Sequence, residues 1–230
     1  MRPGLRESYD RVAGEYARQF RDELDHKPFD RKVLEWLIEK VGDSGVICDM
    51  GCGPGQIARY LHERGARVCG VDLSPAMVKE AQLANPGSSF HEGDMRDLAG
   101  VADGSYGGIA AFYSIVHLPH EDVPRAFREL RRVLRANGVL LLAFHVGKEV
   151  VHRDELLGQE VDLDFLFFET EEIKDHLAAA GFALEEVIER DPYRPDVEYP
   201  SRRAYVFARK AEDPRSVRRF PVPRLQEGSE

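Results

Sequence analysis

The sequence predicts one α/β domain on a doubly wound, mostly parallel sheet. Three observations carry that expectation. Strand and helix patterns alternate from about residue 28 to 145. A glycine-rich turn, Gly51-Cys52-Gly53-Pro54-Gly55, follows the first strand-like run. Acidic residues, Asp72 and Asp94, close the next two strand-like runs, on the edge where such sheets bind ligands.

The 230 residues suit one domain with its own core. Apolar residues at 43% and charged residues at 32% are the balance of a folded chain, which excludes a disordered one. A formal charge of −9 repels phosphate backbones, so no nucleic-acid partner is expected. No apolar run reaches the length of a bilayer span, and Met1 to Asp10 has no apolar signal core. The expectation is a cytoplasmic protein with no membrane partner. Cys48, Cys52 and Cys69 form no C-x-x-C pair, and no histidine is spaced to complete a metal site with them. They read as reduced, buried thiols, and no metal is expected.

The elements follow in order. Residues 28 to 41 read as a helix, with Phe29, Val33, Trp36, Leu37 and Val41 at helical spacing. A strand at 46–50 leads into the glycine turn, and a helix at 56–64 stops at Gly65. Strand two is 67–71. Ser74-Pro75 then supplies an N-cap and a first helical position for a helix to residue 83. Short strand three at 88–91 and apolar strand four at 108–113 follow. A helix at 123–135 buries Val123, Phe127, Leu130 and Leu134, with Arg125, Arg128, Arg131 and Arg132 as a solvated face. Gly138 turns the chain into strand five at 139–144. Residues 145–169 break the pattern and read as an insertion capping the site. Thr170 is expected to cap a helix running to Ala180 and ending at Gly181, before strand-like runs at 183–188 and 203–209. Residues 211–230, with three prolines and little periodicity, read as a flexible tail.

The glycine turn lets backbone approach a ligand, and the helix after it points unpaired N–H groups at whatever binds there. Asp72 lies about 20 residues on, where a carboxylate accepts from both hydroxyls of a ribose. Asp94 can accept from the exocyclic amine of an adenine that Met95 covers. These features also suit a nicotinamide dinucleotide, and Gly53-Pro54-Gly55-Gln56-Ile57-Ala58 fits one variant of that fingerprint. Two features pull away from it: Asp49, two residues before the first glycine, where it can face a cationic ligand, and the acid after strand three.

The run Asp49-Met50-Gly51-Cys52-Gly53-Pro54-Gly55 resembles motif I of the class I S-adenosylmethionine-dependent methyltransferases. Asp72 and Gly93-Asp94-Met95 match two further acidic motifs of that family. The stretch from Tyr106 to Leu118 resembles its fourth motif, and Gly138 to Phe144 its next strand. Tyr9-Asp10-Arg11-Val12-Ala13-Gly14-Glu15-Tyr16-Ala17 is similar to the N-terminal helix of its small-molecule members. The resemblance covers about residues 8 to 210. It implies a Rossmann-like seven-stranded sheet whose last strand is antiparallel. It implies S-adenosylmethionine as cofactor, with S-adenosylhomocysteine as product, and a small-molecule methyl acceptor as substrate. The cofactor-facing residues it implies are Tyr9, Tyr16, Asp49, Gly51, Gly53, Gly55, Asp72, Leu73, Met77, Asp94, Met95 and Phe112. One departure is Phe112, where the family often carries Asp or Asn after strand four.

A sulfonium is already a strong methyl donor, so the protein has mainly to align the acceptor and exclude water. A base is needed only if the acceptor must lose a proton. His117, after strand four, is the first candidate, and His145, after strand five, the second. His152 is less well placed; His62, His120 and His176 read as solvated. Tyr113 and Phe165 are expected on the acceptor side, with Phe167 and Phe168 as further apolar surface of the cap or as ordinary core. Arg202 and Arg203 can pair with an acceptor carboxylate or phosphate, the plainer reading being a surface salt bridge. The competing functions are a nicotinamide-dependent oxidoreductase and a non-catalytic cofactor-binding protein.

Overall fold

The computed structural model describes residues 4–211, so the tail expected at 211–230 lies outside the described residues except for Ala211. Helices α1 (Leu5–Phe20) and α2 (Pro28–Val41) precede β1 (Ile47–Met50). Then come α3 (Gln56–Glu63), β2 (Val68–Asp72), α4 (Pro75–Ala84), β3 (Ser89–Glu92) and β4 (Tyr106–Phe112). The second half holds α5 (Val123–Val133), β5 (Leu134–His145), β6 (Val150–Leu156), β7 (Gln159–Leu166), α6 (Thr170–Ala179), β8 (Phe182–Arg190) and β9 (Arg203–Lys210).

Seven strands form one sheet in the order β3-β2-β1-β4-β5-β9-β8. The pairs from β3 to β5 are parallel, and β9 runs antiparallel to both β5 and β8. The expected α/β class and antiparallel last strand are present. The chain winds outward from β1 to β3 and returns to β4 on the other side of β1. The carboxyl ends of β1 and β4 therefore flank the switch point, the crevice where such sheets hold ligands.

The central strands are buried on both faces, and their side chains alternate between two cores. Ile109 and Ala111 of β4, with Leu140, Leu142 and Phe144 of β5, pack towards Phe127 and Leu130 of α5 and Ile173 and Leu177 of α6. Ala110, Leu141 and Ala143 face Val33, Leu34, Leu37 and Val41 of α2 and Leu61 of α3. A third, smaller core joins Val12 and Ala13 of α1 to Met77 of α4 and to Val161 and Leu163 of β7.

Several local expectations hold. Ser74 Oγ accepts the Met77 N–H at 3.1 Å and so caps α4. Gly65 and Gly181, at φ 86° and 87°, follow α3 and α6 in the left-handed conformation that a side chain would strain. Cys48, Cys52 and Cys69 are buried free thiols. Others are corrected. Thr170 is the first residue of α6, not its cap; its hydroxyl donates to Glu189 at 2.5 Å, a partner brought by β8. Strand β5 begins at Leu134, before Gly138, because Tyr106 of β4 already pairs there. The arginines of α5 are not all left to solvent: Arg132 grips Glu129, Asp103 and the carbonyls of Val101 and Leu98, and Arg131 donates to the Gly181 carbonyl.

The expected cap is a hairpin, β6 paired with β7, turned by Leu157 and Gly158 at φ 53° and 75°. It docks on α1, where the Asp162 N–H donates to Ser8 Oγ at 3.0 Å and Arg11 to the Glu160 carbonyl at 3.1 Å. Among the described residues no helix is long and apolar enough to cross a membrane.

Candidate active site

A cavity of about 370 Å³ opens at the carboxyl ends of β1, β2 and β4, roofed by α1 and the hairpin. Its lining residues fall into two groups, called arms below: one around the glycine turn and β2, the other around the ends of β4 and β5 and the start of β9.

In the first arm the turn is held down by backbone. Gly51, at φ 71°, donates to the Val71 carbonyl at 2.7 Å, and a Cβ on it would lie 2.3 Å from that of Ser114. Gly53, at φ 51°, has open space instead: a Cβ there would meet nothing nearer than Gln56 Oε1 at 4.0 Å. Asp72 accepts the Gly53 N–H on one oxygen and the Ser74 N–H on the other, both at 2.8 Å. Burial pushes its pKa up against those bonds, and each oxygen keeps a lone pair. Leu73, Met77, Met95 and Phe112 line the same arm, with Tyr9 and Tyr16 over it; burial raises both tyrosines.

Three sequence-predicted contacts are placed differently. Asp49 does not line the cavity. It is 1% exposed and accepts the Ala58 N–H at 3.0 Å, and burial carries its pKa to about 8. Gly55 is also outside the lining; at φ 83° it starts α3 and lies against Ala81 of α4, too close for a side chain. Asp94 lines the cavity, but both its oxygens are engaged by Arg96 at 2.7 to 3.1 Å. Burial works to raise Asp94, and the guanidinium outweighs it, leaving the carboxyl below its ordinary range.

The second arm is lined by Tyr113, His145, Phe165, Tyr199 and Arg203, with Asp30 and Glu198 beneath. Tyr113 adopts φ 51°, a conformation rare for a bulky residue, just where β4 ends. His145 Nδ1 lies 2.6 Å from Ser201 Oγ, and its ring stacks on Phe167 at 4.9 Å. Burial, helped by Arg203, lowers His145 to about 4. Its Nε2 makes no hydrogen bond among the described residues. Phe168 belongs to the core beneath β5, so of the three cap phenylalanines only Phe165 reaches the cavity.

His117 is differently occupied. Its Nδ1 is 2.8 Å from the Asp164 carbonyl, which only accepts, so Nδ1 carries the proton. Nε2 then accepts from the Tyr9 hydroxyl at 2.6 Å. Burial lowers this histidine to about 4. With both nitrogens engaged it ties α1 to β7, and the free imidazole base expected from the sequence is not present there. His152, which pairs with Asp164 at 2.8 Å, lies outside the cavity. Arg202 is a correction too: it pairs with Glu189 at 2.9 Å on the exposed side of β9. Arg203 is 3% exposed; Nη1 donates to the Tyr199 and Ser201 carbonyls, while Nε pairs with Glu198 at 3.1 Å in an alignment too poor for a hydrogen bond.

Sequence reasoning missed the polar floor under this arm. Arg190 of β8 donates to Glu198 at 2.6 Å, to Asp30 at 3.2 Å and to the Tyr205 hydroxyl at 3.0 Å. Tyr205 in turn donates to Asp30. One signal was present. Asp30 falls in register with Val33, Leu34, Leu37 and Val41, so an acid stands on the apolar face of α2.

A family model described as a methyltransferase domain matches residues 48–142, which run from β1 through most of β5. Over that stretch the chain is similar to methyltransferase domains. Among its relatives, the Bacillus subtilis protein YqeM is 28% identical over 160 residues, covering 66% of this chain and 64% of that protein. A trans-aconitate 2-methyltransferase of Escherichia coli is 38% identical over 96 residues, 41% of this chain and 36% of that one. The matched stretches thus span less than two thirds of these relatives' own lengths. A Methanosarcina mazei S-adenosylmethionine-dependent methyltransferase has the same fold, at TM-score 0.69 and 16% identity over 77% of this chain and 98% of that one. So does the Burkholderia thailandensis 1,6-didemethyltoxoflavin-N1-methyltransferase solved with S-adenosylhomocysteine, at TM-score 0.68 and 20% identity over 90% and 88%.

The S-adenosylmethionine that the sequence motifs imply fits the first arm. Gly53 leaves space that a Cβ would enter, and Asp72 has acceptor capacity left for a ribose. Gln56 Oε1 and Ser114 Oγ, both on lining residues, are buried with no hydrogen-bond partner among the described residues. Unpaired polar atoms beside a cavity are acceptors and donors held in place for a ligand.

Proposed function

We propose that this chain transfers the methyl group of S-adenosylmethionine to a small-molecule acceptor held in the second arm. The observation that carries the reading is the continuity of the two arms. One cavity runs from Gly53 and Asp72 to Tyr113, His145 and Arg203, so donor and acceptor can lie side by side.

S-adenosylmethionine supplies a methyl group already activated on a sulfonium. The protein's residues do the rest. Asp72 accepts from the ribose hydroxyls, and the Gly51–Gly53 backbone approaches the cofactor closely. Met77, Met95 and Leu73 cover its adenine. Asp94, largely taken by Arg96, acts by fixing the loop over that ring. Tyr9 and Tyr16 close over the methionine portion, and the Tyr9–His117 bond holds α1 shut against the hairpin, excluding water. Asp49 steadies the start of α3. In the second arm Phe165, Tyr113, Tyr199 and His145 form walls suited to a flat acceptor, and Arg203 offers a cationic edge.

Calorimetric titration with S-adenosylhomocysteine, with NADH as control, tests the cofactor half; transfer of labelled methyl to an acceptor panel tests the rest. Binding of the former alone followed by transfer supports the proposal. Binding of NADH alone supports the oxidoreductase, and cofactor binding without transfer across the panel supports a binding protein.

A further inference from the structure

The polar floor of the second arm has a direction. Tyr205 has one hydroxyl proton and gives it to Asp30 Oδ1, while Arg190 Nε donates to the Tyr205 hydroxyl oxygen at 3.0 Å. At the 3.1 Å contact between the Tyr113 and Tyr205 hydroxyls, Tyr113 must then be the donor. Its own proton committed inward, Tyr113 Oη has only lone pairs to offer the cavity it lines. The floor therefore accepts a hydrogen from a ligand and connects it, oxygen to oxygen, to a buried carboxylate.

We propose that the Tyr113–Tyr205–Asp30 chain drains the proton of the methyl acceptor, and that the acceptor is a flat molecule bearing a phenolic or enolic hydroxyl. This rests on the methyl-transfer reading above. The acceptor oxygen bonds to the methyl carbon as the carbon–sulfur bond breaks, its electron pair staying on sulfur. The acceptor's hydroxyl proton passes to Tyr113 Oη, that of Tyr113 to Tyr205 Oη, and that of Tyr205 to Asp30 Oδ1. A sulfonium and a carboxylate become a thioether and a carboxylic acid, so the charges cancel inside a dry site.

The surroundings of Asp30 suit that part. Against the larger effect of burial, Arg190 from β8, paired with it at 3.2 Å, and Lys27 before α2 both favour its ionised form. Glu198 takes the other bonds of Arg190 and pairs with Arg203, so neither cation is stranded when Asp30 is neutralised. Burial raises the Asp30 carboxyl above the ordinary range, making it a better proton acceptor than a surface acid. His117 has no open nitrogen, and His145 is a weak base. Tyr113 is the catalytic residue here; Tyr205 and Asp30 are positioning residues acting through it.

The test uses the full chain with S-adenosylhomocysteine bound, titrated with 4-nitrophenol at a pH where that ligand is fully ionised. The phenolate absorbance reports the ligand, and calorimetry in buffers of different ionisation enthalpy counts protons. The expected result is binding with the phenolate band retained and about one proton taken up by the protein, one charge being compensated by one proton. Asp30→Asn and Tyr113→Phe should bind S-adenosylhomocysteine as the wild type does and take up none. If Asp30→Asn does not fold, Tyr113→Phe, which removes one surface-of-cavity hydroxyl, carries the test. Equal uptake in the variants, none in the wild type, or binding of benzoate in place of 4-nitrophenol overturns the proton drain while leaving methyl transfer standing. Failure to bind S-adenosylhomocysteine overturns the methyl-transfer reading beneath it.

Discussion

The two arms of the cavity are made by different means. The first is assembled from strand ends and the turns directly after them, and its carboxylate, Asp72, is met by backbone N–H groups. The second is assembled from side chains far apart in sequence: Asp30 meets Arg190 across 160 residues and Tyr205 across 175. A site made by backbone tolerates change in its surroundings. A site made by a buried ionic network does not, because each member left alone is a charge without water.

That contrast can be broken experimentally, and the largest effect belongs to the network. Arg190→Met leaves Asp30 and Glu198 without their shared cation and should lose about 3–5 kcal/mol of unfolding free energy in a denaturant titration. A loss below about 1 kcal/mol would mean that the network is not what holds β8 and β9 against α2. Asp72→Ala should weaken S-adenosylhomocysteine binding by about 1.5–3 kcal/mol while changing stability much less. Unchanged affinity would remove Asp72 from the ribose role.

Acid should act on the join between the arms. His117 and His145 titrate near 4 in the folded chain against an ordinary value of 6.5. The unfolded chain therefore binds more protons as pH falls, and stability present above 6.5 is lost on the way to 4, on the order of 3 kcal/mol per histidine. His117→Gln should flatten that slope, and an unaltered slope would place the sensitivity elsewhere. The smallest effect is expected at Arg202, whose partners are exposed. Arg202→Ala should change stability by less than about 1 kcal/mol and leave ligand binding alone.

The same contrast explains what could be read in advance. Gly51, Gly53, Asp72 and Ser74 sit at fixed offsets from strand ends, so a linear pattern carries them. Asp49 and Gly55 stood in the same pattern, yet serve the turn and α3 instead of lining the cavity, because spacing says where a residue lies and not which way it points. The second arm was half legible. Tyr113, His145 and Arg203 follow, end or start strands, and all three line the cavity. Arg190, Glu198 and Tyr205 were invisible, since nothing local marks residues whose only common feature is a shared partner. Asp30 on the apolar face of α2 was the one visible trace of that network.

The most direct measurement is a calorimetric titration of the wild type, Asp72→Ala and Tyr113→Phe with S-adenosylhomocysteine. The division into a cofactor arm and an acceptor arm predicts saturable binding to the wild type, binding weakened about 10- to 100-fold in Asp72→Ala, and wild-type affinity in Tyr113→Phe. Loss of affinity in Tyr113→Phe with Asp72→Ala unaffected would contradict it.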